Sequence, residues 1–361
     1  MSFRRGILQA WEGNPSSPAW SRMLTKSLGP LGSLYGAAMA HRRWRYEAEK
    51  AGASKIPIPV ISIGNLALGG TGKTPTVAWL VEKLTLKGRK PAVISRGYGG
   101  RPKDVMVVGD GKGSLMASPP AADEAAMLAR RYPNLLVLTG AERSFVAKKA
   151  VEEFGADVIV LDDGFQHLAL HRDMDVVVLR GEAPFGNGKV VPAGVLREPV
   201  SALRRADAVL LTGECAGRTR EEIQSLIPDT PMFTGHLEPD TLLDSRGENT
   251  GSPDELKGAR VVAVSGLGNP YGFEKMLESL NVEVMVHHEY PDHAHYALAD
   301  GVRLVSSIQK TGADFILTTE KDAVKLSPLL SKAPLRVLRV VMKIDGEMNL
   351  AGLIEKKVFS C

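Results

Sequence analysis

The chain has 361 residues, a net charge of +4 and 44% hydrophobic residues. That is length for two ordinary domains and enough apolar content for sizeable cores, which excludes global disorder. Two cysteines, Cys215 and Cys361 at the last position, exclude a disulfide framework and fit a reducing cytoplasm.

The opening, MSFRRGILQAWEG, lacks the long apolar run and small-residue cleavage site of a signal peptide. No window reaches 18 consecutive apolar residues, so no transmembrane helix is expected. Residues 27–50 predict a helix, apolar and small at first, then basic and aromatic through Arg42, Arg43, Trp44, Arg45 and Tyr46. Leu31, Leu34, Tyr35, Ala38 and Met39 fall on or near one stripe. Such a helix can lie at a bilayer interface with its cations on lipid phosphates, or pack on the protein's own core with a solvated basic end.

From residue 55 short β-branched runs alternate with helical stretches. IPIPVISIGN predicts a strand that ends in the loop LALGGTGKTP, residues 66–75. TPTVAWLVEKLTLKG follows as a helix, with Val77, Leu80, Val81 and Leu84 three or four apart and Gly88 as its stop. KPAVISRGYGG is a strand into a glycine-rich loop, AADEAAMLARRYP a helix, NLLVLTG a strand, and ERSFVAKKAVEEFG a helix. ADVIVLDDG, MDVVVLRGE and ADAVLLTGE are three further strands. Continuous Val/Ile/Leu strands between helices imply a mainly parallel sheet covered on both faces. Near residue 230 the chain becomes rich in Pro, Gly, Asp and Ser, as linkers and exposed turns are. The βα rhythm then restarts at ARVVAVSGLGNP, with helices over YGFEKMLESLN and around ADGVRLVSSIQKTG and strands at VEVMVHHEYPDH and ADFILTTEKDA. The expected organisation is an N-terminal membrane-associating segment (residues 1–50), a phosphate-loop core (51–230) and a smaller α/β domain (231–361).

The loop at 66–75 carries the chemistry. Glycines 69, 70 and 72, with Thr71 between the last two, let backbone N–H groups converge on a phosphate at a strand–helix junction. Lys73 is placed to reach the β- and γ-phosphates, and the Thr74 hydroxyl to ligate Mg²⁺. The strict pattern wants another glycine at position 67, where Ala67 stands, at what reads as the loop's outer edge. A purely structural glycine turn explains Gly69 and Gly70 but not Gly-Lys-Thr at this junction.

VIVLDDGFQH, residues 158–167, ends an apolar strand in Asp162 and Asp163, where an open α/β sheet places ligands. This pair suits a Mg²⁺ site opposite the phosphate loop; the alternative is a solvated surface pair. Other polar clusters stand at SRGYGG (95–100), DEAAMLA (123–129), GNGKVVPAGVLREP (186–199), YPDHAHY (290–296) and TTEKDAVK (318–325). Taken singly, Arg197–Glu198 reads as a local ion pair, His293 as a loop histidine and Lys321–Asp322 as a helix start. The GGTGKT spacing also fits membrane-seated partitioning ATPases, but those carry a lysine where this chain has Leu68. No recognition helix, zinc-finger spacing or basic–aromatic stripe points to nucleic acid, and the mild positive charge suits a nucleotide, a phosphorylated lipid or an anionic membrane.

In this order the strings GNLALGGTGKTP, SRGYGG, LDDGFQH, GNGKVVPAGVLREP, YPDHAHY and TTEKDAVK resemble the motifs of the tetraacyldisaccharide 4′-kinase (lipid A 4′-kinase) family, over residues 28–325. The resemblance implies an α/β fold of the phosphate-loop NTPase type and transfer of the γ-phosphoryl of ATP, with Mg²⁺, to the 4′-hydroxyl of a tetraacylated glucosamine disaccharide 1-phosphate, giving lipid IVA. It implies a peripheral enzyme on the cytoplasmic face of a bacterial inner membrane, in contact with an anionic membrane surface; no obligate protein partner is inferred. Carried onto this chain, Gly69, Gly70, Thr71, Gly72, Lys73 and Thr74 hold the nucleotide, with Thr74 and Asp162 on the metal. Asp163 and Lys73 serve catalysis, Asp123 and His293 form the base, and Arg197 and Glu198 belong to the cleft. The rivals are a membrane-associated nucleotide switch that recruits protein partners and a nucleic-acid-dependent ATPase.

Overall fold

The structure, a computed structural model, describes residues 3–48, 52–96, 104–116, 123–268 and 270–360. Residues 97–100 of the SRGYGG motif, Asn269 and Cys361 lie outside the described residues. The strands are β1 (Val60–Gly64), β2 (Pro91–Ser95), β3 (Met106–Asp110), β4 (Leu136–Thr139), β5 (Val158–Asp162), β6 (Met174–Arg180), β7 (Ala208–Thr212), β8 (Met232–Leu243), β9 (Asn249–Gly251), β10 (Arg260–Ser265), β11 (Glu283–Glu289), β12 (Phe315–Thr319) and β13 (Leu335–Ile344). The helices are α1 (Phe3–Trp11), α2 (Ala19–Ser27), α3 (Gly29–Ala48), α4 (Lys73–Leu86), α5 (Asp123–Arg131), α6 (Arg143–Glu152), α7 (Gly217–Leu226), α8 (Pro270–Ser279), α9 (Leu298–Thr311), α10 (Glu320–Leu326) and α11 (Glu347–Ile354).

The strands form one sheet in the order β11-β10-β12-β13-β8-β7-β6-β1-β5-β2-β4-β3, with β9 beside β8. The expected class holds: an α/β, mainly parallel sheet with helices on both faces. Among the described strands, antiparallel pairing joins β3 with β4, β8 with β13 and β8 with β9. β1 and β5 are buried along their whole length, as parallel strands covered on both faces must be. Val77, Leu80, Val81 and Leu84 of α4 pack on one face; Phe165, Val177, Leu179, Val209 and Leu211 build the other.

The turn-rich stretch after residue 230 is not a linker. Its first part is β8, twelve residues long, which runs parallel to β7 at Met232–Gly235 and antiparallel to β13 from there on. Gly235, Leu242 and Leu243 are its buried residues, so burial along it does not alternate, and a strand built by pairing on both edges escapes a reading by period. β13, α11 and the turn after it then return to the first half. Met342, Ile344, Leu350, Ile354 and Val358 lie in the same core as α4. The strand reading of ADFILTTEKDA also stops early: β12 ends at Thr319, whose hydroxyl accepts from the Asp322 N–H, and Glu320 opens α10.

The helix expected over residues 27–50 is α3. It packs through glycines: a Cβ on Gly32 would lie 2.9 Å from Val190 O, and one on Gly36 would lie 3.1 Å from Val190 Cγ2. The apolar stripe turns outward instead, with Leu31 56% and Leu34 69% exposed and Tyr35, Trp44, Trp20 and Met23 exposed beside them.

Candidate active site

β1 delivers the chain into the phosphate loop. Gly64 is fixed as glycine because a Cβ there would meet Phe165 Cβ at 2.5 Å. Gly69 and Gly72 hold φ of 102° and 85°, and α4 begins at Lys73 directly behind them. Ala67 is not at an outer edge. It is buried and bridges antiparallel to Leu196, flanked by hydrogen bonds from Leu68 N to Val195 O (2.8 Å) and Arg197 N to Leu66 O (2.7 Å). Ala67 does not take a positive φ, so the backbone there does not call for a glycine. Polar side chains brace the loop: Asn65 Nδ2 donates to Ala67 O (2.6 Å) and Thr71 Oγ1 (3.3 Å), Gln166 Nε2 to Asn65 O (2.8 Å), and Thr212 Oγ1 to Thr71 O (3.0 Å).

Asp162 and Asp163 are not a solvated pair. The register Ile63↔Asp162 sets Asp162 beside the start of the loop, 2% exposed. Both its carboxylate oxygens lack a hydrogen-bond partner among the described residues. Burial, then Glu124 and Asp163, raise its pKa to about 7 against the pull of Lys73 and Arg143. A buried carboxylate with open lone pairs fits a hard cation that prefers oxygen ligands, and Thr74, buried at the start of α4, supplies an oxygen of the same kind. Asp163 takes the opposite role. Its Oδ2 accepts from Arg197 Nη1 at 2.6 Å and its Oδ1 lies 3.8 Å from Lys73 Nζ. Burial would raise its pKa, but Lys73 and Arg197 outweigh it and hold the group below the usual carboxylate range. Asp163 sits at φ 56°, and Arg143 Nη1, from a buried side chain, donates to its carbonyl at 2.8 Å.

The second half closes over this loop. A Cβ on Gly268, between β10 and α8, would lie 2.9 Å from Gly70 N, 3.1 Å from Gly69 Cα and 3.3 Å from Asp292 Oδ2. Next to Asp292, His293 Nδ1 lies 3.4 Å from Oδ2 of Asp123, the first residue of α5. His293 holds a left-handed φ of 58°. Such a conformation in a residue with a Cβ is uncommon and costs energy that the surroundings must supply. The hydrogen bond to Asp123 is the largest influence on the imidazole and raises its pKa, with burial opposing. On Asp123 burial acts upward, but the bonds from His293 and Lys325 prevail and lower it. Lys321 spans both halves, donating to Glu124 Oε1 (3.1 Å) and Asp292 Oδ1 (2.7 Å).

The residues picked from the sequence therefore converge, with one exception. Arg197 and Glu198 do not pair with each other: Arg197 turns to Asp163, and buried Glu198 takes a bidentate contact from Arg205 at 2.9 Å on each oxygen. Arg205 also stacks 4.3 Å over the Phe165 ring and donates to its carbonyl. Glu198 thus braces the loop that carries Arg197 through its contact with Arg205. Sequence alone assigns no role to Asn65, Arg143 and Lys325. Each is one polar residue in an ordinary helix or strand context, and only the tertiary contacts give it a task.

Against known families, residues 24–358 match the model of LpxK, described as tetraacyldisaccharide-1-P 4′-kinase. The chain is 43% identical over 337 residues to the tetraacyldisaccharide 4′-kinase of Anaeromyxobacter dehalogenans strain 2CP-C, covering 89% of each protein. It is 39% identical over 368 residues to that of Syntrophus aciditrophicus, covering 98% of each. Among solved structures it resembles the "apo" form of LpxK from Aquifex aeolicus in complex with ATP, at a TM-score of 0.74 and 31% identity, over 93% of this chain and 100% of that one.

Proposed function

The chain belongs to the tetraacyldisaccharide-1-P 4′-kinase family, and from that premise we propose that it transfers the γ-phosphoryl group of ATP to the 4′-hydroxyl of a tetraacylated glucosamine disaccharide 1-phosphate. One observation carries the reading: the Asp123–His293 pair stands beside Asp292, which together with Gly69 and Gly70 crowds Gly268. A base is thus held next to a phosphate loop, as transfer to an alcohol requires. Residues 51–230 serve as the nucleotide half and residues 231–361 as the half that covers it.

In this scheme the amides of residues 69–74 and Lys73 grip the triphosphate tail. With Nδ1–H donating to Asp123, the His293 lone pair that takes the sugar hydroxyl proton is on Nε2. Asp123 orients the ring and stabilises the imidazolium that forms. Asp163, already balanced by Lys73 and Arg197, holds both cations toward the phosphates. Asp162 and Thr74 are the residues that would hold Mg²⁺, which supplies charge neutralisation of the β- and γ-oxygens. The contact between the halves excludes water and limits futile ATP hydrolysis. Incubation with γ-labelled ATP, Mg²⁺ and the disaccharide 1-phosphate, followed by separation of the lipids, should move the label onto lipid. Label appearing only as inorganic phosphate would favour a nucleotide switch.

The outward stripe of α3 supports a place on the cytoplasmic leaflet. No described helix is long and apolar enough to cross a membrane. Leu31, Leu34, Tyr35 and Trp44 are exposed, with arginines at the C-terminal end of the same helix, and exposed Leu68 stands in the phosphate loop. Such a surface suits anionic lipid, with apolar groups in the acyl boundary and cations on headgroups. Because α3 also packs on residues 190–199, deletion would disturb the loop. The triple variant L31S/L34S/W44S leaves the glycine face intact. It should lose most of its co-sedimentation with phosphatidylglycerol vesicles while keeping ATP binding; unchanged sedimentation would refute the membrane role.

A further inference from the structure

The cation nearest to Asp123 is not His293. Lys325 Nζ lies 2.5 Å from Asp123 Oδ2, the same oxygen that His293 Nδ1 approaches at 3.4 Å. The ammonium also donates to Ala294 O at 2.8 Å, on the residue after His293. One side chain on α10 therefore touches the carboxylate of the pair and the backbone that presents the imidazole. Asp123 is 3% exposed, and a carboxylate so deeply placed needs a full opposite charge against it. The other charged groups nearby are engaged elsewhere. Lys321 is taken by Glu124 and Asp292. Asp322 accepts from Gly266 N, Thr319 Oγ1 and Tyr296 O–H.

We propose that Lys325 is a positioning residue for the base: it keeps Asp123 ionised, shares that oxygen with His293, and so keeps the pair from holding a proton too tightly to act near neutral pH. The proposal rests on the reading of Asp123 and His293 as the base. Its physical core does not depend on which of the two carries the proton. Removing a positive charge beside a coupled pair raises the proton affinity of the pair as a whole.

Lys325→Gln removes the charge and keeps a donor of similar reach. The acid limb of its kcat/KM–pH profile should move to higher pH by about 1–3 pH units, the usual range for one charge at this distance. On the acid side of that limb the variant should run about tenfold slower than wild type for each pH unit the limb has moved. Lys325→Arg, which keeps the charge, should leave the limb in place even where kcat falls through altered geometry. A limb that stays put in K325Q, or moves down, overturns the proposal. ATP binding reports folding of each variant. If K325Q fails to bind ATP, the paired variant D123N/K325Q, with both charges gone, should restore binding; failure to restore it also counts against the idea. If the wild-type protein itself moves no phosphate to the disaccharide, the function reading fails instead, so the two failures are distinguishable.

Discussion

Lys73→Ala should abolish lipid phosphorylation, with kcat falling by about 10³-fold or more, roughly 4 kcal/mol of transition-state stabilisation. The side chain opens α4 behind the glycine loop, and its ammonium is balanced by Asp163 Oδ1 at 3.8 Å. Charge on the transferring phosphoryl group is spread over oxygens that this cation is placed to meet. The fold should survive. Lys73 is the first residue of its helix, and the packing of α4 comes from Val77, Leu80, Val81 and Leu84. Far-ultraviolet circular dichroism and a thermal melt of the variant check that point. Retained transfer would remove the phosphate-loop role. Loss of transfer together with loss of the cooperative melt would show instead that Lys73 stabilises the corner formed by Asp162 and Asp163.

His293→Ala should lower kcat by about 10²–10⁴-fold, the range for a lost general base, with little change in ATP affinity. His293 contacts Asp123 and Asp292, both outside the phosphate loop. Asp123→Asn should fall in the same range, because an amide cannot stabilise the imidazolium that forms when the proton is taken. The wild-type pH profile carries the matching sign. A base must be deprotonated to act, and the His293 pKa is raised by Asp123. Activity should therefore fall with decreasing pH through a value above the ordinary histidine pKa. The acid limb should drop out of the profile of H293A. A variant that instead weakens ATP binding and spares kcat would assign His293 to binding.

The comparison of sequence with structure turns on particular residues. The phosphate loop was legible because its pattern is local: glycines 69, 70 and 72 set backbone geometry that adjacent residues dictate, and Lys73 and Thr74 follow them directly in the chain. The parallel strands were legible because burial on both faces demands unbroken Val/Ile/Leu runs. Strand β8 was not, because its pairing is supplied by β7 and β13 and its burial follows no period of two. The return of Met342–Val358 to the first core was equally hidden, since a helix's partner cannot be read from its own pattern.

The amino-acid sequence by itself determined the nucleotide loop, the acid-ended strand and the family they mark, since each is a short run whose spacing already states its chemistry. Tertiary structure alone decided which charges meet. It left Asp162 without a hydrogen-bond partner among the described residues and gave Asp163 to Lys73 and Arg197. It turned Glu198 to Arg205, and set Lys325 from the second half of the chain on Asp123 from the first. The physical reason is that a buried charge is satisfied by whatever group the fold brings within hydrogen-bond reach, and that neighbour is a property of packing, not of order along the chain.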